Sequence, residues 1–482
     1  SRRGYYGRVG NRCFIRDTRR IEDANIGTGV LVRGANRLEN VTIQGHEECS
    51  TEIGDAVELA GGIVGVGSRI LSGAKAFRFV LGENCTLSLG ARLINTVLGD
   101  NSTISCCEVL NNLIFPGHEQ HHNNSFLIAS TIQGQSNVAA GVTAGSNHNS
   151  RAADGEIVAG RGFWPGLCCS FKHPCKFASF TLIAKGSYPA ELNIPLPFSL
   201  VSNDEKEGQL TIIPAYWFMY NMYALARNES KYLSRDKRVH KRQRLEFSPL
   251  APDTVDEIFN ALQLLETWKG RELNGSRDQI ERSDRPVKIL KLEKACEAYR
   301  EMVLYYCIHT LLEFITERNL KRLEDLKKNL GECYRFPWLN VGGQLMLKRS
   351  VKDVMERIKS GSINSWKEVH QEYDRLGQEY PQEKTRHAMA SLVELNSIQV
   401  EDLTEPKWFE FLDKAVEIKE KMAELVYKSR EKDYSDPFRM ITFDSQAEME
   451  AVLGKLDHNL FIQQVKKEAE EFRNKVAKLK NN

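Results

Sequence analysis

Apolar residues in the first two hundred positions recur at six-residue spacing: Ile26, Val32, Leu38; Ile53, Leu59; Leu81, Leu87, Leu93; Leu98, Ile104, Leu110; and Ile132, Val138, Ala144. That spacing matches neither the roughly 3.6 residues of a helical turn nor the roughly 2 of a half-buried strand. Gly, Asn or Asp sits beside the apolar position in Ile26-Gly27, Ile53-Gly54, Leu81-Gly82 and Leu98-Gly99-Asp100-Asn101. These residues tolerate the positive φ of a tight corner, so the pattern predicts a β-solenoid. Each short strand ends in a turn, sends its apolar residue into the bore, and stacks on the coil before it. A β-sandwich would alternate with period 2 instead.

Near residue 200 the pattern changes. Pro195, Pro197, Pro214 and the aromatic cluster Tyr216, Trp217, Phe218, Tyr220 and Tyr223 lead into helical periodicity. Thr254-x-x-Glu257 reads as a capping box before Ile258, Leu262 and Leu265, which share one helical face, and that helix is expected to end near Gly275. Amphipathic segments follow at 287–317, 319–330, 349–360, 405–431 and 444–480. The expected architecture is α+β: a parallel β-solenoid over 1–204, an aromatic and basic connecting segment over 205–252, and a helical bundle over 253–482.

Composition sharpens this division. The first 200 residues hold 25 of the 34 glycines and 8 of the 11 cysteines, but only four lysines. The odd cysteine count, with adjacent pairs at Cys106/Cys107 and Cys168/Cys169 and no CxxC, points to buried thiols rather than disulfides or structural zinc. Lys plus Arg number 66 and Asp plus Glu 64, so the near-zero balance gives no global case for nucleic-acid or acidic-membrane binding. No run approaches the ~18 to 20 apolar residues of a membrane span, and SRRGYYGRVG has no signal-like apolar core. A cytoplasmic protein is expected. The missing initial Met suggests a trimmed or partial chain. The run Arg235, Lys237, Arg238, His240, Lys241, Arg242, Arg244 would form an anion-binding face if helical, although such runs are more often solvated.

His118-Glu119-Gln120-His121-His122 matches HExxH, whose histidines bind zinc one helical turn apart. Pro116-Gly117 before it and Asn123-Asn124 after it argue against that helix. A different geometry would still let two of these histidines hold a metal, against a plain polar loop. A denser cluster is Gly145-Ser146-Asn147-His148-Asn149-Ser150-Arg151-Ala152-Ala153-Asp154-Gly155-Glu156. Here His148 is a candidate general base oriented by Asp154 or Glu156, with Arg151 for a phosphate or carboxylate and Asn147 and Asn149 for sugar hydroxyls. The competing reading has these residues satisfying corner backbone groups or filling a subunit interface. A second candidate surface joins Arg161 and Trp164 to Lys172, His173 and Lys185, with His173 as an alternative base. Against it, Phe163 and Trp164 would plug the solenoid end or dock the helical region, the commoner use of large aromatics.

The hexad region resembles the hexapeptide-repeat, left-handed β-helix proteins, familiar as acyltransferases and as the acetyltransferase portion of sugar nucleotidyltransferases. The stretch from His121 to Asn203, HHNNSFLIASTIQGQSN through PLPFSLVSN, is similar to the DUF4954 family of bacterial proteins common in Bacteroides and relatives. The resemblance implies a left-handed β-helix with a helical extension. It also implies acyl transfer to a sugar, nucleotide sugar or similar polar metabolite, with an acyl-CoA donor and a cleft between subunits of a homo-oligomer such as a trimer. The alternatives are a noncatalytic ligand-binding or assembly scaffold, and the β-helix of a sugar nucleotidyltransferase. The visible chain has no Gly-rich phosphate loop joined to a βαβ pattern for the last of these.

Overall fold

The computed structural model describes residues 7–145, 155–269 and 286–481. From Arg8 to Ile194 the chain winds as a parallel β-solenoid. Strand residues pair with partners 17 positions on, as in Lys75 with Arg92, Glu58 with Lys75, and Thr86 with Thr103. The expected interior positions are filled: Ile26, Val32, Leu38, Leu87, Leu93 and Ile104 are essentially inaccessible. One departs from the pattern. Arg92 pairs with Glu108, 16 positions on, so the phase slips and Val109 takes the bore while Leu110 turns partly outward.

Corners stack as regularly as strands. Asn40, Gly61, Arg78, Asn95, Asn111 and Ala129 occupy one corner in successive coils, all with φ between 49 and 66°. Asn95 both accepts from Arg78 and donates to Asn111 at 2.8 Å, so the corner is a ladder of side-chain hydrogen bonds. Two coils are enlarged. Leu31 pairs with Glu52, 21 positions on, and Thr143 pairs with Ser170, 27 positions on. Residues 146–154, which hold most of the polar cluster around His148, fall between Thr143 and Ser170 in sequence and lie outside the described residues.

Toward its end the bore changes from aliphatic to aromatic filling. Phe180 and Phe198 stack at 4.8 Å, and Phe198 meets Phe218 at 4.4 Å. Phe218 belongs to the first helix, α1 (Tyr216–Tyr220), so one ladder of rings leads from solenoid to helices. The last solenoid strand folds back as the antiparallel pair Leu200–Asp204 and Gln209–Ile213, onto which Val287–Ile289 adds in parallel. The remaining helices are α2 (Met222–Arg235), α3 (Pro252–Trp268), α4 (Leu292–Glu317), α5 (Leu323–Leu330), α6 (Lys348–Lys359), α7 (Trp366–Leu395), α8 (Glu405–Ser435), α9 (Pro437–Met440), α10 (Gln446–Leu453) and α11 (Leu460–Lys480). One hairpin, Trp338–Val341 with Gln344–Leu347, interrupts them. No described helix is long and apolar enough to cross a membrane, and all eleven cysteines are free thiols.

Three details correct the sequence expectation. Helix α3 begins three residues earlier than the capping box implies, with Pro252 in its first turn and the Thr254 hydroxyl accepting from the Ala251 N–H at 3.0 Å. Glu257 is thereby freed from capping and accepts from the backbone N–H of Ser179 on the solenoid at 2.9 Å. Helix α7 lies outside all the amphipathic segments expected from the sequence, and it carries Pro381 internally. Proline forbids the bond to the carbonyl four residues back and crowds it, but here that residue is Gly377, a position with no side chain against which Gln344 packs. Finally, the basic run is not a helix beyond Arg235. It forms a strap whose basic side chains meet the solenoid's own carboxylates: Arg235 with Glu119 at 2.7 Å, Arg238 with Asp100 at 3.3 Å, and the His240 ring with Glu83 at 2.8 Å.

Burial pushes the Glu257 carboxyl up to about 7, with nearby Asp253 acting in the same direction. A carboxyl whose folded pKa lies above its unfolded one favours the folded state while protonated, and that contribution is lost as pH rises through about 7. Glu257→Gln keeps the acceptor for Ser179 and removes the titration. Urea unfolding of the variant and the native chain at pH 5 and pH 8 should show the variant gaining about 1–3 kcal/mol relative to the native chain at the higher pH. An equal difference at both pH values would refute this role.

Candidate functional site

The HExxH helix does not form, and of the three candidate metal histidines only His121 and His122 lie side by side. Glu119–Gln120 is a short parallel strand, not a helix. The His118 ring points into the bore, where it bonds Ser136 at 2.8 Å and Gln120 at 3.2 Å, and burial pushes its pKa down to about 4. His121 and His122 face outward with ring centroids 4.4 Å apart, and His121 lies 3.2 Å from Glu119. Among the described residues no group of three or more His, Cys, Asp or Glu is arranged to hold a metal.

Of the polar cluster, Asn147, His148, Asn149, Arg151 and Asp154 lie outside the described residues; Glu156 is exposed at the following coil. His173 is completely buried, so it cannot meet a substrate from solvent. Lys172 is a surface residue paired with Glu191 at 2.8 Å, and Lys185 is exposed. Trp164 packs on Trp217 of α1 with centroids 5.8 Å apart, which is the docking role rather than an open stacking platform.

Arg161 has a structural use that its sequence context does not announce. It is 2% exposed and holds Asp253 of α3 through two bonds, Nε to Oδ2 at 2.7 Å and Nη2 to Oδ1 at 2.9 Å. Its Nη1 donates to Gln135 Oε1 at 2.7 Å and to the Ser248 carbonyl at 3.1 Å. No donor face is left for a phosphate. The strap residue Glu246 continues the network, accepting from Lys384 at 3.0 Å and from the Tyr380 hydroxyl, both on α7. Burial alone would raise the Glu246 carboxyl, but Lys384 and Arg161 outweigh it and hold it down at about 2.

Ionisable groups do converge elsewhere, around a partly open cavity of about 710 Å³ lined by α2, α4, α7, α8, α11 and the strap segment Ser248–Leu250. Its polar wall carries Glu229 from α2, His309 and Glu313 from α4, Lys384 from α7, Lys419 from α8 and Glu468 from α11; Met222, Leu225, Met302, Met422 and Val426 supply the apolar wall. His309 and Glu313 are one helical turn apart, 3.7 Å between Nδ1 and Oε2. Partial burial, reinforced by Lys419 and Lys384, pushes the His309 pKa down. Burial and the neighbouring Glu246 push Glu229 up to about 7, and burial raises Glu313 as well. The cavity thus brings together an imidazole, a carboxyl poised near neutrality and two lysines, in a volume suited to a small molecule. Hexad spacing does not point to it; the available signal was the charged positions Glu229, His309 and Lys384 inside otherwise apolar helical faces.

The family model described as "Domain of unknown function (DUF4954)" matches residues 1–269, more than half of the chain. The chain belongs to the DUF4954 family. A second model, "Domain of unknown function (DUF6819)", matches residues 335–481. The DUF4954 match thus takes in the solenoid, the strap and α3, including both Arg161 and Asp253. A Treponema pallidum (strain Nichols) protein described as "Uncharacterized protein" is 45% identical over 493 residues, covering 97% of this chain and 68% of that protein. Among solved structures, the Francisella novicida UDP-N-acetylglucosamine acyltransferase aligns over 60% of this chain and 94% of its own, at 15% identity and a TM-score of 0.23.

Removing the Arg161 side chain from the DUF4954 core leaves Asp253 facing a buried void. Arg161→Ala is expected to cost about 3–5 kcal/mol in urea unfolding and to expose the strap to protease near Arg242 and Arg244. A loss below about 1 kcal/mol, the scale of a surface ion pair, with the strap still protected, would remove Arg161 from this role.

Proposed function

We propose that the protein is a small-molecule-binding module, in which the helical cavity receives the ligand and the solenoid serves as the rigid platform that holds its wall in place. One observation carries this reading: ionisable groups with displaced pKa values gather around one cavity in the helices, while the solenoid candidates among the described residues lie apart or inside the bore. Ala226 of α2 lines the cavity. Screening polar metabolites by thermal shift and calorimetry should identify a ligand whose binding Ala226→Trp weakens by at least tenfold, with the variant's own unfolding temperature little changed. A ligand that binds Ala226→Trp as tightly as the native chain would place binding elsewhere.

A second reading, acyl transfer to a sugar or nucleotide sugar from an acyl-CoA, draws on the enlarged coil between Thr143 and Ser170. That enlargement carries His148 as general base, with Asp154 or Glu156 orienting it and Asn147, Asn149 and Arg151 for substrate. An outward ladder of Ile63, Val80, Val97 and Leu113, each 39–42% exposed, gives this reading a face for self-association. Under it, a trimer forms and incubation with acetyl-CoA and UDP-sugars yields free CoA at a rate that His148→Ala lowers by about a hundredfold or more, the scale of a lost general base. Absence of CoA release, or a rate untouched by His148→Ala, rejects it.

A further inference from the structure

Exposed apolar side chains are usually scattered singly over a protein surface. Here the largest exposures are concentrated. The five most exposed large apolar side chains among the described residues, Phe438, Leu460, Trp366, Ile441 and Val452, are 67–83% exposed, and all fall within residues 335–481, the part matched by the DUF6819 model. They mark two segments: α6 with the start of α7, and the excursion 436–460 that carries α9 and α10 between α8 and α11.

On α6, Val351, Val354, Met355 and Ile358 share one helical face, yet no residue of this helix is buried, and Met355 and Ile358 are exposed. A helix this short is marginal alone and ordinarily holds by burying such a stripe. Trp366 opens the next helix. The charge beside the stripe is positive: α6 carries five Lys or Arg against Asp353 and Glu356. Arg357 is taken up by Glu372 at 2.8 Å and Lys359 by Glu356 at 2.7 Å, whereas Lys348 and Lys352 have no acidic partner among the described residues. The excursion has the opposite sign, with five Asp or Glu against Arg439 and Lys455. Met449 is buried, and the Tyr434 hydroxyl of α8 donates to the Leu453 carbonyl at 3.3 Å, so the excursion is anchored while Phe438, Ile441, Val452 and Leu460 stay exposed. Arg439 pairs with Asp433 and Lys455 with Glu450 at 3.9 Å; Asp444 and Glu448 have no Lys or Arg partner among the described residues.

We propose that these segments are the two halves of one interface between copies of this chain: α6 and Trp366 of one copy dock on the 436–460 excursion of a second, with Lys348 and Lys352 facing Asp444 and Glu448. Apolar side chains edged with unpaired lysines meet apolar side chains edged with unpaired carboxylates, which is complementary in both hydropathy and charge. Within one chain the two segments do not cover each other, as their exposure shows. Each copy carries both halves, so reciprocal docking closes a two-fold dimer with two equivalent contacts.

Sedimentation velocity on the full chain, from about 1 to 100 µM, tests this. The chain should pass from monomer to dimer in that range, and the dimer should be at least tenfold weaker in about 500 mM than in about 50 mM NaCl. Two variants each remove one half: Met355→Asp with Trp366→Ala, and Phe438→Ser with Ile441→Ser. All four residues are exposed, so the unfolding midpoint of each variant should stay at the native value while its self-association falls at least tenfold. Mixing the two variants should restore association well above either alone, because the mixed pair keeps one intact contact and each variant with itself keeps none. A mixture that associates no more tightly than its components overturns the pairing of α6 with the excursion, and so does association untouched by either variant. A chain that stays monomeric over the whole range overturns the interface; cosedimentation of that monomer with phosphatidylserine vesicles would then assign α6 to a lipid surface instead.

Discussion

A guanidinium sealed from water must have its counter-charge and acceptors delivered by the fold, because leaving it unmatched costs more than any single packing contact returns. Arg161 imposes that condition here. Asp253 comes from the start of α3, Gln135 from the preceding coil, and the Ser248 carbonyl from the strap. All must arrive together for any to be useful. Solenoid, strap and helices are therefore held in one mutual arrangement, and Glu246 extends it to α7 through Lys384 and Tyr380. The same strap, at Ser248 to Leu250, is a wall of the helical cavity. The shape of the cavity consequently depends on a charge buried in the solenoid.

The two halves meet different physical demands. Coils stacked through 17-residue registers leave a narrow bore, and side chains fill it completely: aliphatic through most of its length, aromatic near the helices. A histidine pointing into such a bore, as His118 does, becomes a hydrogen-bonded packing residue rather than an acid or base. Helices crossing at varied angles do not tile space so evenly. The gap between α2, α4, α8 and α11 is where charged side chains face one another across an open space. Ionisable groups are accordingly gathered where packing is irregular, and rigidity lies where it is repetitive.

The basic strap shows how a linear motif can mislead about partners. Six Lys and Arg residues and His240 between Arg235 and Arg244 resemble a surface for an external anion. Folding supplies anions from within: Glu83, Asp100 and Glu119 are presented by successive coils along one edge and take up His240, Arg238 and Arg235. Asp236 adds a further carboxylate for Arg238 at 2.8 Å, and Asn101 donates to Asp236 at 3.0 Å. The near-zero net charge of the chain is thus expressed locally, as an acidic ladder matched to a basic strap.

The repeat, its corners and the change to helices were legible in the order of residues, because each answers a local demand. A bore needs an apolar side chain at fixed intervals, and a corner needs a residue that tolerates positive φ. Where such a demand was modified by a neighbour, legibility failed. The one-residue slip that exchanges Leu110 for Val109 depends on the register of the adjoining coil, and the passage of α7 through Pro381 depends on Gly377 and what packs against it. The roles of charged residues were settled only by tertiary structure. Arg161 meets Asp253 across 92 positions, Arg235 meets Glu119 across 116, and Lys384 meets Glu246 across 138. Whether a cation binds a ligand or its own chain is decided by which carboxylate the fold brings within a few ångströms, and no local pattern encodes that distance.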